Sequence, residues 1–137
     1  MKKIASLMVL LAFCIPALAI DMPDMVGNWT GTFNYVSWMK NTSSMASGNV
    51  SYWEDNTTLL FEEQNGTRFA GKIIPAEKSA ATEVLLGVIS SDNESITLAD
   101  ENGLMWGWMV TPTEMELFYQ GVDMDSVDVG GGIFTKE

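Results

Sequence analysis

A period of two in the apolar residues restricts this chain more than any other feature. From Trp29 the odd positions read Trp29, Gly31, Phe33 and Tyr35, while the even positions read Asn28, Thr30, Thr32 and Asn34. A helix repeats every ~3.6 residues, so this alternation belongs to a strand with one apolar and one polar face. The same period returns in residues 57–64 and 67–73, hinged at Asn65-Gly66, a pair that suits the two positive backbone angles of a type I′ turn. Leu59 and Phe61 on one arm are expected to share a face with Phe69 and Ile73 on the other. Residues 83–90 and 95–99 read as another pair around Ser91-Asp92-Asn93-Glu94, and Asn102-Gly103 as a second tight turn. Residues 104–111 follow, with Leu104, Trp106, Trp108 and Val110 on the inner face until Pro112 ends the strand. Met115, Leu117 and Tyr119 then alternate with Glu114, Glu116 and Gln120, and 126–136 form the last strand, with a bulge or bend expected at Gly130-Gly131-Gly132.

This gives eight or nine short strands and no helix longer than a turn. Sequential hairpins with one apolar side must close on themselves or stack to bury it. The expected fold is all-β, an antiparallel up-and-down β-barrel of about eight strands.

The barrel sequence is preceded by what reads as an export signal over residues 1–19. Lys2-Lys3 is a positive start, residues 4–13 are apolar apart from Ser6, Pro16 breaks the run and Ala17-Leu18-Ala19 is a cleavage site. The apolar run falls short of the ~20 residues of a membrane helix, so no transmembrane span is expected after processing. A lipid anchor on Cys14 is disfavoured by the bulky Phe13 before it. Residues 20–137 then form a single domain, secreted or at the cell surface. Cleavage removes the one Cys and two of seven basic residues, leaving five basic against 18 acidic, a net charge of -13. Without disulfides, a hydrophobic core or assembly must stabilise the domain.

Composition excludes several kinds of chemistry. The chain has no His, which removes imidazole bases and the usual catalytic zinc sites. Its full-length net charge of -11 argues against nucleic acid, whose phosphates need clustered Lys and Arg. Carboxylate chemistry is what remains for an enzyme. Glu114 and Glu116 sit about 6.6 Å apart along one strand face, a spacing a glycosidase pair uses, but they point to solvent, where nothing raises a carboxyl pKa. Asp123, Asp125 and Asp128 lack the turn glycine and terminal Glu of a calcium loop. No catalytic residue, metal or cofactor is therefore assigned, and a carboxylate-dependent hydrolase is kept only as an alternative.

Six of the eight asparagines, Asn28, Asn41, Asn49, Asn56, Asn65 and Asn93, stand in N-x-[ST] sequons. Strand alternation alone places Asn and Thr two apart, as at Asn28 and Thr30, but Asn41, Asn49 and Asn93 are expected in loops. N-glycosylation at several of these sites is expected, in a host such as an archaeon with a glycosylated envelope.

Any ligand is expected inside the barrel, although this many large rings favours an interior filled by its own side chains. Phe33, Tyr35, Trp106, Trp108 and Tyr119 are expected to point inward, and an eight-stranded barrel is just wide enough to be filled by side chains or to hold one small ligand. Such a ligand would be apolar, with Tyr and Trp tips as its specific contacts. Strand 104–111 is apolar on both faces, since Met105 and Met109 oppose the two tryptophans. Its outer face, with Met105 and Met109, is therefore expected to be covered by a second copy or by an envelope protein.

A short turn-like segment, residues 21–26, leads into Gly27-Asn28-Trp29 at the first strand, and Ile133-Phe134-Thr135-Lys136 closes the chain. This resembles the calycin barrels: lipocalins, fatty-acid-binding proteins and avidins. The resemblance implies that Trp29 closes the barrel base beside Gly27 and that Lys136 packs across it. The chain is shorter than a lipocalin and lacks the polar array with which avidins hold biotin, so biotin binding is not implied. Together these readings describe an exported, glycosylated binding or interaction module at the cell envelope. The alternative is a structural surface component with a filled barrel, and a cavity beside Tyr35, Trp106 and Trp108 would distinguish the two.

Overall fold

The computed structural model describes residues 21–40, 48–76 and 81–137. The expected export signal of residues 1–19 and the sequon at Asn41 lie outside the described residues. Eight strands follow in order: β1 Gly27–Lys40, β2 Gly48–Asn65, β3 Arg68–Pro75, β4 Glu83–Ile89, β5 Ser95–Ala99, β6 Gly103–Thr111, β7 Glu114–Val122 and β8 Ser126–Lys136. Each pairs antiparallel with the next and β8 returns to β1, so the sheet closes into a barrel, with residues 48–56 of β2 running past the last β3 pair at Thr57 and Pro75. The inner face carries the core. Phe33 and Phe134 meet with ring centroids 4.8 Å apart, and Phe61 meets Phe69 edge to face at 4.8 Å.

Two single-residue bulges decide which side chains face that core. The β2–β3 turn is made by Gly66 and Thr67, since Asn65 pairs with Arg68. Only Gly66 has a positive φ, of 62°. This matches a type II′ turn, in place of the type I′ turn expected at Asn65-Gly66. A two-residue turn alone would pair odd positions with even ones and set Phe61 and Phe69 on opposite faces. The register shift between Phe61 and Glu63 inserts Glu62, so that Leu59 faces Ile73 and Phe61 faces Gly71.

The second bulge overturns the reading of β6. Thr111 pairs with Glu114, but the next pair is Met109 with Met115, leaving Val110 bulged. Every residue before it is shifted by one, which moves the whole set to the other face. Met105 then lies opposite Tyr119 and Gly107 opposite Leu117. Residues directly opposite share a face, and β7 has an unambiguous inner side at Met115 and Leu117. Met105 is consequently buried at 2% exposure, while Trp106 and Trp108 are outside at 42% and 43%.

Two further expectations are corrected, at Asn49 and at Gly130-Gly131-Gly132. β1 continues five residues past Tyr35, and Asn49 falls in β2, not a loop. Past Tyr35 the alternation is broken by Ser37, a buried polar residue whose hydroxyl accepts the Trp53 indole N–H at 2.6 Å. Gly130-Gly131-Gly132 makes no bulge either, for β8 keeps one register with β7 from Glu114 to Val122. These glycines leave room for rings instead: a Cβ on Gly130 would stand 2.6 Å from Tyr35 Cδ1.

One end of the barrel is plugged by residues 21–26. Trp29, fully buried, donates its indole N–H to the Met25 carbonyl at 2.8 Å, and Met25 N donates to Gln64 Oε1 at 2.7 Å. Gln64 Nε2 in turn donates to the Pro23 carbonyl at 3.0 Å. The Lys136 ammonium sits 5.8 Å from the Trp29 ring centroid and donates to the Asp24 carbonyl at 2.7 Å and carboxylate at 3.1 Å. Gly27 has φ 128°, a backbone angle that a side chain resists, and a Cβ there would press on Lys136 Cε at 3.2 Å.

Charged turn caps link stability to pH. Hydrogen bonds from the Ser90 and Ser95 hydroxyls and from the Glu94 and Ser95 N–H groups hold the Asp92 carboxyl well below the usual range. Asp123 is lowered chiefly by the Asp125 and Ser126 N–H groups, and Asp24 chiefly by Lys136. A carboxyl whose pKa is depressed by folding contributes stability above its unfolded pKa, and that contribution is lost as pH falls through the folded value. Urea midpoints should therefore hold from neutrality to about pH 4 and then decline, with a shallower decline in Asp92→Asn. Identical acid limbs for the two proteins would contradict this.

Candidate functional site

The end of the barrel opposite the plug is open. The core fills the barrel from Trp29 to Phe33, and above that level a cavity of about 190 Å³ remains. Its floor is Phe33 and Met105, its walls include Ile73, Thr57 and Pro75, and its mouth carries Tyr35, Trp53, Tyr119, Asn102 and four carboxylates.

The rings form a corner. Tyr35 stacks on Trp53 with centroids 4.2 Å apart and planes at 14°, and Tyr119 stands edge-on to Tyr35 at 5.7 Å and 80°. The Ser37 hydroxyl fixes the indole through its N–H. Glycines make space for both phenols, Gly130 across from Tyr35 and Gly121 two residues past Tyr119 on β7, where a Cβ would fall 2.6 Å from the hydroxyl oxygen.

Asp55, Glu83, Asp100 and Asp128 supply the charge. Each is oriented by a neutral donor. Asp55 accepts from the Thr57 hydroxyl at 3.0 Å and Glu83 from the Asn102 amide at 2.9 Å. Asp100 accepts from the Asn102 and Gly103 N–H groups at 2.7 and 2.6 Å, and Asp128 from the Ser126 hydroxyl at 3.2 Å. Their effect reaches the phenols. Burial first, then Tyr119, Asp55, Asp100 and Asp128, push Tyr35 above the usual phenol range. Burial, with Asp100, Asp128 and Glu83, pushes Tyr119 up to about 12. Both hydroxyls stay protonated at neutral pH and can donate or accept a hydrogen bond.

Of the five ligand contacts expected from sequence, Phe33, Tyr35 and Tyr119 meet in this cavity. Trp106 and Trp108 do not, because the Val110 bulge turns them outward. Met105 and Met109, expected on an outer interface, are inside: the first is the cavity floor and the second packs against the core. The outer face of β6 instead carries an aromatic cluster, with Phe118 of β7 6.1 Å from Trp106 and 5.5 Å from Trp108. Leu104, Val110 and Ile133 are exposed around it. Trp53, Asp55 and Glu83 escaped the sequence reading. Extending the odd-numbered inner face of β2 back from Leu59 through Thr57 would have found the first two.

Asn28, Asn49, Asn56 and Asn65 are exposed, whereas Asn93 is half-buried with φ 60° in the β4–β5 turn. Glu114 and Glu116 lie on the outer face of β7, opposite the buried Met115 and Leu117. Among the described residues no three acidic or thiol groups converge closely enough to hold a metal ion. Asp123 caps the β7–β8 turn and Asp128 points into the mouth. Larger grooves, such as one of about 520 Å³ between Met22 and Val110, lie outside the barrel wall.

No protein-family description and no curated protein sequence matches this chain. Among solved structures it is similar to EF1p2_mFAP2b, determined bound to DFHBI, with a TM-score of 0.50 and 11% identity over 82% of this chain and 93% of that one. The S-type phycobiliprotein lyase CPES from Guillardia theta aligns with a TM-score of 0.39 and 10% identity over 82% and 88% of the two chains. At such identity the first likeness is one of fold alone, and it agrees with the closed eight-stranded antiparallel topology of this chain.

Proposed function

We propose that this chain is an exported binding module that takes one small ligand in the open mouth of its barrel and meets a protein partner through the outer face of β6 and β7. The observation that carries the first part is the cavity of about 190 Å³ at the unplugged end, walled by three oriented rings, two of them phenols. Apolar walls with a few convergent polar groups are the usual composition of a small-molecule site. EF1p2_mFAP2b, a barrel of similar fold, was solved with the small molecule DFHBI bound.

Titration with an environment-sensitive fluorophore of aromatic character tests this. Saturable binding with quenching of tryptophan emission is expected, weakened about tenfold in Trp53→Leu, which loses one wall of the ring corner. Binding left unchanged by Trp53→Leu and Tyr119→Leu would remove the site from the mouth.

The partner is a second copy or an envelope protein, and the exposed Trp106, Phe118 and Trp108 cluster supports it. Sedimentation equilibrium should show a dimer that becomes monomeric in Trp106→Thr/Trp108→Thr, with unfolding free energy altered by under about 1 kcal/mol because both side chains are surface residues. A wild-type protein that is monomeric and retains no envelope partner after mild cross-linking would count against this face. Glycosylation is proposed for the exposed sequons, foremost Asn49 and Asn65. The intact mass of the native protein should exceed that of the bare polypeptide, and equality would end the proposal.

A further inference from the structure

The rings and the charges of the mouth together define its ligand more closely than either does alone. We propose that the mouth binds a small organic cation, an ammonium group on a compact apolar body. This rests on the small-ligand reading above and narrows it. The site is the ring corner: Trp53 and Tyr35 stacked, with Tyr119 edge-on beside them. Indole and phenol faces attract a cation through their quadrupoles, and Trp53, 45% exposed, keeps part of its surface open at the mouth beside the more buried Tyr35. Exclusion of water by the floor of Phe33 and Met105 strengthens that attraction.

The carboxylates set the sign of the charge. Asp55, Glu83, Asp100 and Asp128 come from four separate places around the mouth, and no Lys or Arg lines it. Among the described residues the ion pairs are Lys72 with Glu62 and Lys136 with Asp24, neither of them at the cavity. Neutral donors orient these acids without balancing their charge. A neutral apolar ligand filling the mouth would desolvate them with nothing in return, and an anion would be repelled. Because the carboxylates surround the mouth and do not converge on a point, the described residues offer no metal site. Such a ring of field suits a diffuse, weakly hydrated charge. A cavity of about 190 Å³ is the space of about six water molecules, which limits the occupant to an alkylammonium of a few carbons.

A matched pair of probes separates charge from shape. Choline and its uncharged carbon analogue, 3,3-dimethylbutan-1-ol, are titrated into the purified exported protein by calorimetry and tryptophan fluorescence, with sodium chloride as the ionic-strength control. Choline is expected to bind saturably and about tenfold more tightly than the alcohol, and to weaken as salt is raised. Asp55→Asn/Asp128→Asn should narrow the difference by weakening choline and, with fewer carboxylates to desolvate, strengthening the alcohol, and Glu116→Gln, on the outer face, should alter neither. Equal affinity of the two probes in the wild-type protein would overturn the cation proposal and leave the small-ligand site standing. Absence of binding by both would overturn the cation proposal, and the fluorophore titration then decides separately whether the small-ligand site stands.

Discussion

Replacing Trp29 with alanine is expected to lower the unfolding free energy by about 3–5 kcal/mol, measured by urea denaturation at neutral pH. The effect is large because three roles meet in one side chain. Trp29 is fully buried at the barrel base, so its removal leaves a cavity that the β1–β8 seam cannot collapse around. Its indole holds the Met25 carbonyl, and through Met25 the plug of residues 21–26 stays seated on Gln64. Its ring face also receives the Lys136 ammonium. Small domains have only about 5–15 kcal/mol in total, so the variant should sit near the edge of folding at 37 °C. Lys136→Met isolates the cationic part and should cost less than about 2 kcal/mol, because the Asp24 partner is largely exposed and screened by solvent. A loss below about 1 kcal/mol for Trp29→Ala would mean that the base is held by something other than this residue.

Gly130→Val is expected to have the second largest effect, and it acts on fold and site together. The new side chain would enter the volume of the Tyr35 ring, since even a Cβ there lies 2.6 Å from Tyr35 Cδ1. Gly130 pairs with Tyr35 on one side and Tyr119 on the other, so both phenols must move. Overpacking of this kind costs about 1–3 kcal/mol. The displaced Tyr35 loses its stacking on Trp53, and ligand affinity at the mouth should fall by more than about tenfold. Gly130→Ala should show the same losses at smaller size. Full affinity in a folded Gly130→Val would separate the ring corner from binding.

The strand count, the last strand and the antiparallel closure were legible because alternation and turn residues mark them directly. Ser126–Lys136 was read to the residue. The faces were legible only where one side is polar, as in β7, with Glu114 and Glu116 opposite Met115 and Leu117. In β6 both sides are apolar, and the single bulged residue Val110 decides the side. A bulge changes parity without changing composition, which is why Trp106 and Trp108 were placed inside and Met105 and Met109 outside. The Phe61 to Glu63 shift likewise hid the true turn at Gly66-Thr67. Phe33, Tyr35 and Tyr119 were legible as site residues through their phase alone. Asp55 shares the odd phase of Leu59, but the acids near strand ends were not legible, because an acid there has the same local sequence whether it caps a turn, as Asp123 does, or faces a cavity, as Asp128 does.

The most direct measurement follows the five indole N–H resonances, from Trp29, Trp38, Trp53, Trp106 and Trp108, in a proton–nitrogen correlation spectrum while choline is added. Trp53, bonded through its N–H to Ser37 at the mouth, is expected to shift saturably, with Trp29 at the plugged base and the outer Trp106 and Trp108 unmoved. Shifts at Trp106 and Trp108 with Trp53 unchanged would contradict a ligand site in the open mouth of the barrel.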